Sequence, residues 1–256
     1  MSLSYYVPLV DRDVLFNARI KIYPNDILKY TVFNKFIYNP DKVELINEVN
    51  KRDDYSKSDD PITRDDSLKR SKDKIFDIAF MNSYLWQYMV TLTLDKDKID
   101  RYDKKDINKK LKKWLGHLVE RNNVNYLIIP ELHKDGAVHF HGLISGDLKL
   151  EFSNHYDNNN RPIYNLLNWK YGFSTCVPLD DNRVAVCKYI TKYVTKSTTK
   201  ILGNIYYSGG HSIKRDVPSV YQNIDYNTFN GNEFEVPNTN IKVKYSILGY
   251  LGNQTK

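Results

Sequence analysis

Residues 125–145 decide the fold, and they read NYLIIPELHKDGAVHFHGLIS. Two apolar runs flank a Lys-Asp-Gly sequence, which is the pattern of a β-hairpin. Side chains alternate along a strand, so His139 and His141 face one way while Val138 and Phe140 face the other. The hairpin therefore presents two imidazoles close together on one face of a sheet.

The register of this hairpin decides which side a nearby carboxylate occupies. If residues 134–136 form the loop, with a left-handed glycine at its end, Glu131 lies directly opposite His139, with Cβ atoms about 5 Å apart. A two-residue turn at 135–136 would instead place Glu131 on the opposite face. The residues alone leave both registers open.

Two imidazoles on one face are the start of a metal site. Imidazole nitrogen suits a borderline divalent ion such as Mn²⁺, Zn²⁺ or Co²⁺. We predict His139 and His141 as ligands, with Glu131 as the acidic partner in the three-residue loop register. His133 is the second choice for a third ligand, because the same register puts it on the same face.

Residues 181–199 are predicted to form a helix. Cys187, Ile190 and Val194 recur at helical spacing, and an aspartate at position 180 or 181 can cap the first turn. The β-branched residues of the segment also fit a strand. The cap and the length of the segment favour the helix.

A helix would place Tyr189 and Tyr193 one turn apart on the same side. A phenol with a pKa near 10 is a weak nucleophile, so it needs activation when it attacks phosphorus. A bound divalent ion polarises a phosphate oxygen, and a lysine such as Lys192 offsets the charge that builds up there. In the strand alternative, Lys192 would leave the tyrosine side.

Charge favours a polyanionic partner. The formal net charge is +7, and residues 182–215 contain seven Lys/Arg and no Asp/Glu. This segment overlaps the two tyrosines and offers both phosphate contacts and stacking surfaces for unpaired bases. The predicted DNA-binding residues are Lys188, Lys196, Lys200, Tyr206 and Tyr207. A second lysine-rich segment, 103–121, is interpreted as a scaffold helix that covers the sheet.

Three motifs in a fixed order make the chain similar to a known family. They are VTLTL at 90–94, HFHG at 139–142 and YITKY at 189–193, and a W-x-x-G-F-S sequence at 169–174 lies between the last two. The chain resembles a rolling-circle replication initiator of the HUH endonuclease superfamily, of the phage and plasmid type with two tyrosines. The resemblance runs from about residue 71 to residue 200.

The resemblance implies metal-dependent nicking of single-stranded origin DNA through a 5′-phosphotyrosine, followed by strand transfer and closure. It assigns the metal, Mn²⁺ or Mg²⁺, to Glu131, His139 and His141. It implies single-stranded origin DNA as substrate and a helicase and polymerase of the bacterial host as partners. No Gly-x-x-x-x-Gly-Lys-Ser/Thr loop occurs that would suggest a helicase within this chain.

The same resemblance orders the tyrosines. Tyr189 carries a lysine at the third following position, so it corresponds to the first nucleophile, and Tyr193 to the second. Lys192 then corresponds to the residue that contacts the phosphate. The two threonines of VTLTL, Thr91 and Thr93, are expected to be structural.

The fold class predicted from the pattern is α+β, with a central antiparallel sheet backed by helices, and the family resemblance implies the ferredoxin-like or RNA-recognition-like fold of HUH nucleases. Strands are predicted at 88–94, 125–131, 137–145 and 172–178, and helices at 73–87, 103–121 and 181–199. The predicted domains are an N-terminal β-rich accessory segment (1–50), a charged linker (51–74), the endonuclease core (75–200) and a C-terminal Tyr/Asn-rich extension (201–256).

Two alternatives remain at the level of sequence. One is a relaxase or single-strand transposase, although relaxases place the tyrosine before the histidines. The other is a non-catalytic single-stranded nucleic-acid binder, in which His139→Ala would leave binding intact. Two cysteines suit a reducing cytoplasm, and no apolar run approaches the ~18 residues of a membrane span.

Overall fold

The structure is a computed structural model that describes residues 16–37, 61–180, 183–194, 201–236 and 239–248. The chain divides into two compact units. The larger unit contains residues 58–216, and the smaller unit combines residues 1–57 with residues 217–256. All predicted site residues that the structure describes lie in the larger unit.

The elements of the larger unit alternate helices with short strands. Its helices are α1 (Pro61–Met81), α2 (Lys104–Asn122) and α3 (Arg183–Ile190). Its strands, numbered after β1 and β2 of the smaller unit, are β3 (Tyr88–Leu94), β4 (Asn125–Leu132), β5 (Val138–Ser145), β6 (Leu150–Tyr156), β7 (Pro162–Leu166), β8 (Gly172–Pro178) and β9 (Tyr207–Gly209).

These strands form one antiparallel sheet in the order β6-β7-β8-β3-β5-β4-β9 over the described residues. The sheet and its helices give an α+β fold, as predicted, and one consistent with the HUH nuclease fold. The four strands predicted from alternating apolar residues match β3, β4, β5 and β8. The short strands β6, β7 and β9 were not predicted.

The β4–β5 hairpin adopts the three-residue loop register. The His133 amide donates to the Ala137 carbonyl at 2.8 Å, and Gly136 has a left-handed φ of +84°. Glu131 pairs directly with His139 across the two strands. The two-residue turn is thereby excluded, and Glu131 lies on the same face as the histidines.

Helix α2 covers the other face of the sheet. Its N-cap Asp103 accepts hydrogen bonds from the amides of residues 105 and 106, which fixes the start of the helix. Trp114 of α2 packs edge-on against Trp169 at 4.9 Å between centroids, and Trp169 packs against Phe140 at 6.2 Å. Because Phe140 points away from His139 and His141, the scaffold role predicted for α2 leaves the histidine face to other elements.

Gly142 occupies a position that admits no side chain. A Cβ there would meet Ile128 Cδ1 and would lie 2.5 Å from the Leu127 carbonyl oxygen. The glycine of the HFHG motif is therefore required by the close approach of β4, and the two histidines are held on a strand that is packed along its length.

We expect Gly142→Ala to lower the free energy of unfolding by about 1–3 kcal/mol or more, because backbone atoms cannot yield to the added methyl group. Gly116 in α2 is the matched control, since a Cβ there meets nothing within 4 Å. Gly116→Ala should instead raise stability by up to about 1 kcal/mol through helix propensity. Urea denaturation of the two variants measures both, and equal effects would contradict the packing argument.

Helix α1 begins earlier than predicted. The expected linker ended at residue 74 and the expected helix began at residue 73, whereas α1 spans Pro61–Met81. The charge-dense start of the segment concealed the helix. Leu68, Ile75 and Phe76 are among its buried apolar residues, and Phe76 stacks on Phe80 at 4.7 Å.

The smaller unit joins two regions that were predicted as separate segments. Its described strands are β1 (Phe16–Tyr23), β2 (Ile27–Ile37), β10 (Ser219–Gln222), β11 (Asn232–Glu235) and β12 (Lys242–Leu248). They form an antiparallel sheet in the order β10-β1-β2-β12-β11. Residues 201–216 belong to the larger unit, so the boundary in the C-terminal region falls near residue 217 and not at residue 201.

Candidate active site

Paired positions on three strands bring the predicted ligands into one row. Glu131 on β4 pairs with His139 on β5, and His139 pairs with Thr93 on β3. His141 pairs with Thr91 in the next row. Directly opposed residues of an antiparallel ladder point to the same face, so these side chains share one surface of the sheet.

His141 is held by partners at both ring nitrogens. Its Nε2 lies 2.8 Å from Glu131 Oε2, and its Nδ1 lies 3.3 Å from Thr91 Oγ1. Burial lowers the pKa of His141, and the Glu131 carboxylate opposes that shift. Thr91, which the sequence marked as structural, therefore has the additional effect of orienting the imidazole.

His139 lies beside a third histidine. Its ring stacks on the ring of His133 with centroids 4.8 Å apart and planes inclined by 18°. Burial lowers the pKa of His139, and the neighbouring His133 lowers it further. His133 Nδ1 is also 3.4 Å from Asp135 Oδ1, so the loop carboxylate holds the third histidine at the edge of the site.

The two tyrosines meet the histidines. The ring of Tyr193 stacks face to face on the ring of His141, with centroids 3.8 Å apart and planes inclined by 8°. The Tyr193 hydroxyl donates to the Tyr189 hydroxyl at 2.9 Å. Burial and the hydrogen bond to Tyr189 raise the pKa of Tyr193 well above its usual range. One continuous cluster thus contains Glu131, His141 and both phenols.

The tyrosine segment is less regular than predicted. Helix α3 ends at Ile190, a 3₁₀ turn covers Thr191–Tyr193, and Val194 is extended. The Thr191 hydroxyl donates to the Lys188 carbonyl at 2.7 Å, which offers the backbone a local alternative to further helical hydrogen bonds. The predicted helix to residue 199 is therefore wrong at Thr191, while residues 195–199 lie outside the described residues.

The apolar stripe predicted for this segment is confirmed. Cys187, Ile190 and Val194 are all buried. They fix the segment so that both tyrosines and Lys192 point away from the core. Lys192 Nζ lies 5.1 Å from the centroid of the Tyr189 ring. The strand alternative, in which Lys192 would leave the tyrosine side, is excluded.

The predicted DNA-binding residues have different fates. Lys188 is exposed on α3, and Tyr206 is partly buried. Lys196 and Lys200 lie outside the described residues. Tyr207 is a correction, because its ring is buried and its hydroxyl donates to Asn108 Oδ1 at 2.7 Å. It is a packing residue of β9 and offers no surface on which a base could stack.

The donor set fits a divalent metal ion in chemistry, although it is not drawn together as one. Two imidazoles and a carboxylate share a face, and each has a lone pair that suits Mn²⁺. Among the described residues, no three His, Cys, Asp or Glu side chains converge as a metal cluster. Glu131 and His141 instead contact each other directly.

Comparison with known proteins now identifies this part of the chain. Residues 87–198 match the family of replication-associated protein ORF2. The matched segment runs from the start of β3 past the tyrosines, so it contains Glu131, both histidines of HFHG and both phenols. We assign this segment to the replication-associated protein family, and that description connects the chain with DNA replication.

The remaining comparisons add no relative. No curated protein matches the chain, and no solved structure matches it. Within the described residues, no helix is both long enough and apolar enough to cross a membrane. The replication-associated family match and the geometry of the cluster are therefore the two observations from which function is argued.

Proposed function

We propose that the chain initiates rolling-circle replication by nicking single-stranded origin DNA through a covalent 5′-phosphotyrosine. The observation that carries the proposal is the stacking of Tyr193 on His141 together with the 2.9 Å hydrogen bond from Tyr193 to Tyr189. Two motifs separated by more than forty residues are joined in one site. The match to the replication-associated protein family supports the replication role of that site.

Tyr189 is the first nucleophile in this proposal. Its side chain is 41% exposed, whereas the ring of Tyr193 is partly covered by His141. A strand of DNA can therefore reach the Tyr189 hydroxyl without displacing the histidine contact. Lys192, over the Tyr189 ring, provides positive charge where a phosphate would gain negative charge.

The reaction balances without an oxidant or a reductant. The Tyr189 oxygen forms a bond to phosphorus, the bond from phosphorus to the 3′ oxygen breaks, and the phenolic proton is released while the 3′ oxygen takes up a proton. The 5′ side stays on the protein, and the free 3′ hydroxyl serves a host polymerase behind a host helicase. A second attack, by Tyr193 on the regenerated junction, gives a second covalent end, and the 3′ hydroxyl released then attacks the first phosphotyrosine to close the strand.

Glu131, His139 and His141 would hold a divalent ion, Mn²⁺ or Mg²⁺. When bound, such an ion supplies Lewis-acid polarisation of a phosphate oxygen. The protein's own residues provide the remaining requirements. Thr91 orients His141, and the ladder between β4 and β5 holds Glu131 beside the two imidazoles.

Covalent capture tests the proposal. The wild-type protein is incubated with Mn²⁺ and single-stranded DNA from its own replicon, denatured, and digested for peptide mass spectrometry. We expect an adduct that resists denaturant, that EDTA prevents, and that maps to Tyr189 or Tyr193. Tight binding of the same DNA without any adduct would overturn the nuclease proposal and leave a nucleic-acid-binding protein.

A further inference from the structure

We propose that Phe173 is a base-stacking residue, which holds an unpaired nucleobase of the DNA strand on the sheet face that carries His139. This inference rests on the proposed function, because it names a contact for the strand that is nicked. It assigns a binding role to a residue outside the metal and tyrosine motifs.

The position of Phe173 follows from strand register. Phe173 on β8 pairs with Thr93 on β3, and Thr93 pairs with His139 on β5. Opposed residues point to the same face, so the ring of Phe173 shares a surface with His139. Two strand spacings separate them, which is about 10 Å. A nucleotide next to a phosphate held at His139 would lie within reach of this ring.

The exposure of Phe173 is unusual for its place in the sheet. Its side chain is 68% exposed although β8 is an interior strand, flanked by β7 and β3. Other aromatic residues of the unit are packed in pairs, as Trp114 with Trp169 and Phe76 with Phe80. Within the described residues, the Phe173 ring makes no aromatic contact. The ring is therefore open to a planar ligand.

The strand beneath Phe173 is anchored from the other face. Ser174 and Cys176, its neighbours in the alternating pattern, are buried, and the Ser174 hydroxyl accepts a hydrogen bond from the Leu166 amide at 2.8 Å. β8 pairs with β3 from Tyr88 to Leu94. The backbone that carries the ring is thus fixed, so stacking would cost little ordering of the chain.

The surroundings of Phe173 favour a base over a protein partner. On its face the paired neighbour is Thr93, and the next outward residue of β8 is the exposed Thr175. A single aromatic ring among threonines is not the wide apolar patch of a protein interface. It is instead the arrangement of single-strand binding sheets, in which aromatic rings stack on bases and hydroxyl groups contact polar atoms.

Equilibrium binding tests the inference in a protein that cannot form an adduct. The background carries Tyr189→Phe and Tyr193→Phe, and the probe is a homothymidine strand of about 12 nucleotides with one 2-aminopurine, placed at each position in turn. Affinity is measured by fluorescence anisotropy, and stacking by quenching of the 2-aminopurine. Phe173→Ala, Phe173→Leu and Phe173→Trp are compared, with Tyr156→Ala on the outer strand β6 as an exposed aromatic control.

We expect Phe173→Ala to weaken binding roughly ten- to a hundredfold and to abolish quenching at one position of the strand. Phe173→Trp should retain both properties, Phe173→Leu should lose the quenching, and Tyr156→Ala should resemble the background protein. Unchanged affinity and quenching in Phe173→Ala would overturn the inference, as would full activity of Phe173→Leu in both measurements. Because no cleavage is needed, a wild-type protein that binds through Phe173 but forms no adduct would refute only the nicking proposal.

Discussion

Tyr189→Phe is expected to reduce formation of the first covalent adduct by at least about 10³-fold, because the substitution removes the attacking oxygen and leaves the ring in place. Tyr193→Phe is expected to form the first adduct and to fail in the second strand transfer. The double variant should do neither. The measurement is a gel assay with a labelled origin strand, in which adduct and closed product are resolved.

Tyr84→Phe is the matched control for these variants. Tyr84 is another exposed tyrosine with a lysine over its ring, Lys214 Nζ at 5.5 Å from the centroid, but it lies outside the histidine cluster. Its activity should equal that of the wild type. If Tyr193→Phe lost the first adduct and Tyr189→Phe kept it, the order of the two nucleophiles would be reversed.

The second large effect is expected at the metal ligands. His139→Ala and His141→Ala should each weaken Mn²⁺ binding by roughly 100-fold or more, since even the loss of a residue behind a ligand costs 10- to 100-fold. Glu131→Gln keeps the shape of the side chain and removes its charge, so it should also weaken binding. Isothermal titration with Mn²⁺ measures the affinity independently of DNA cleavage.

Two other histidines sharpen that measurement. His155 is exposed on β6, away from the paired row, and His155→Ala should leave Mn²⁺ affinity unchanged. His133→Ala should have a smaller effect than His139→Ala, because His133 lies on the loop beside His139 and is not paired with Glu131. Equal losses in all four histidine variants would show that the metal binds elsewhere or nonspecifically.

Local sequence patterns predicted much of the larger unit. The alternation of β3, β4, β5 and β8 and the helical spacing of α2 are properties of neighbouring residues, so they can be read without the fold. The Lys-Asp-Gly loop allowed two registers, and the structure selected the one that places Glu131 opposite His139. Helix α1 was partly missed because its first half is charge-dense and only its later residues show a continuous buried side.

Long-range pairing was beyond the sequence. The two terminal regions meet in one sheet, in which Ala18 pairs with Gln222, and no local pattern records a partner two hundred residues away. The same limit explains Tyr207, whose place in a basic, tyrosine-rich segment suggested stacking on DNA. The pairing of β9 with β4 turns its ring into the core.

The sequence by itself determined the residue types of the site, because motif order and spacing carry the histidine pair, the carboxylate and the two tyrosines. Only the tertiary structure decided how they meet. Packing of Cys187, Ile190 and Val194 fixes the tyrosine segment so that Tyr193 lies on His141. Register across β5, β3 and β8 likewise brings Phe173 to the histidine face, since contacts between separate strands depend on hydrogen-bond pairing that residue spacing does not specify.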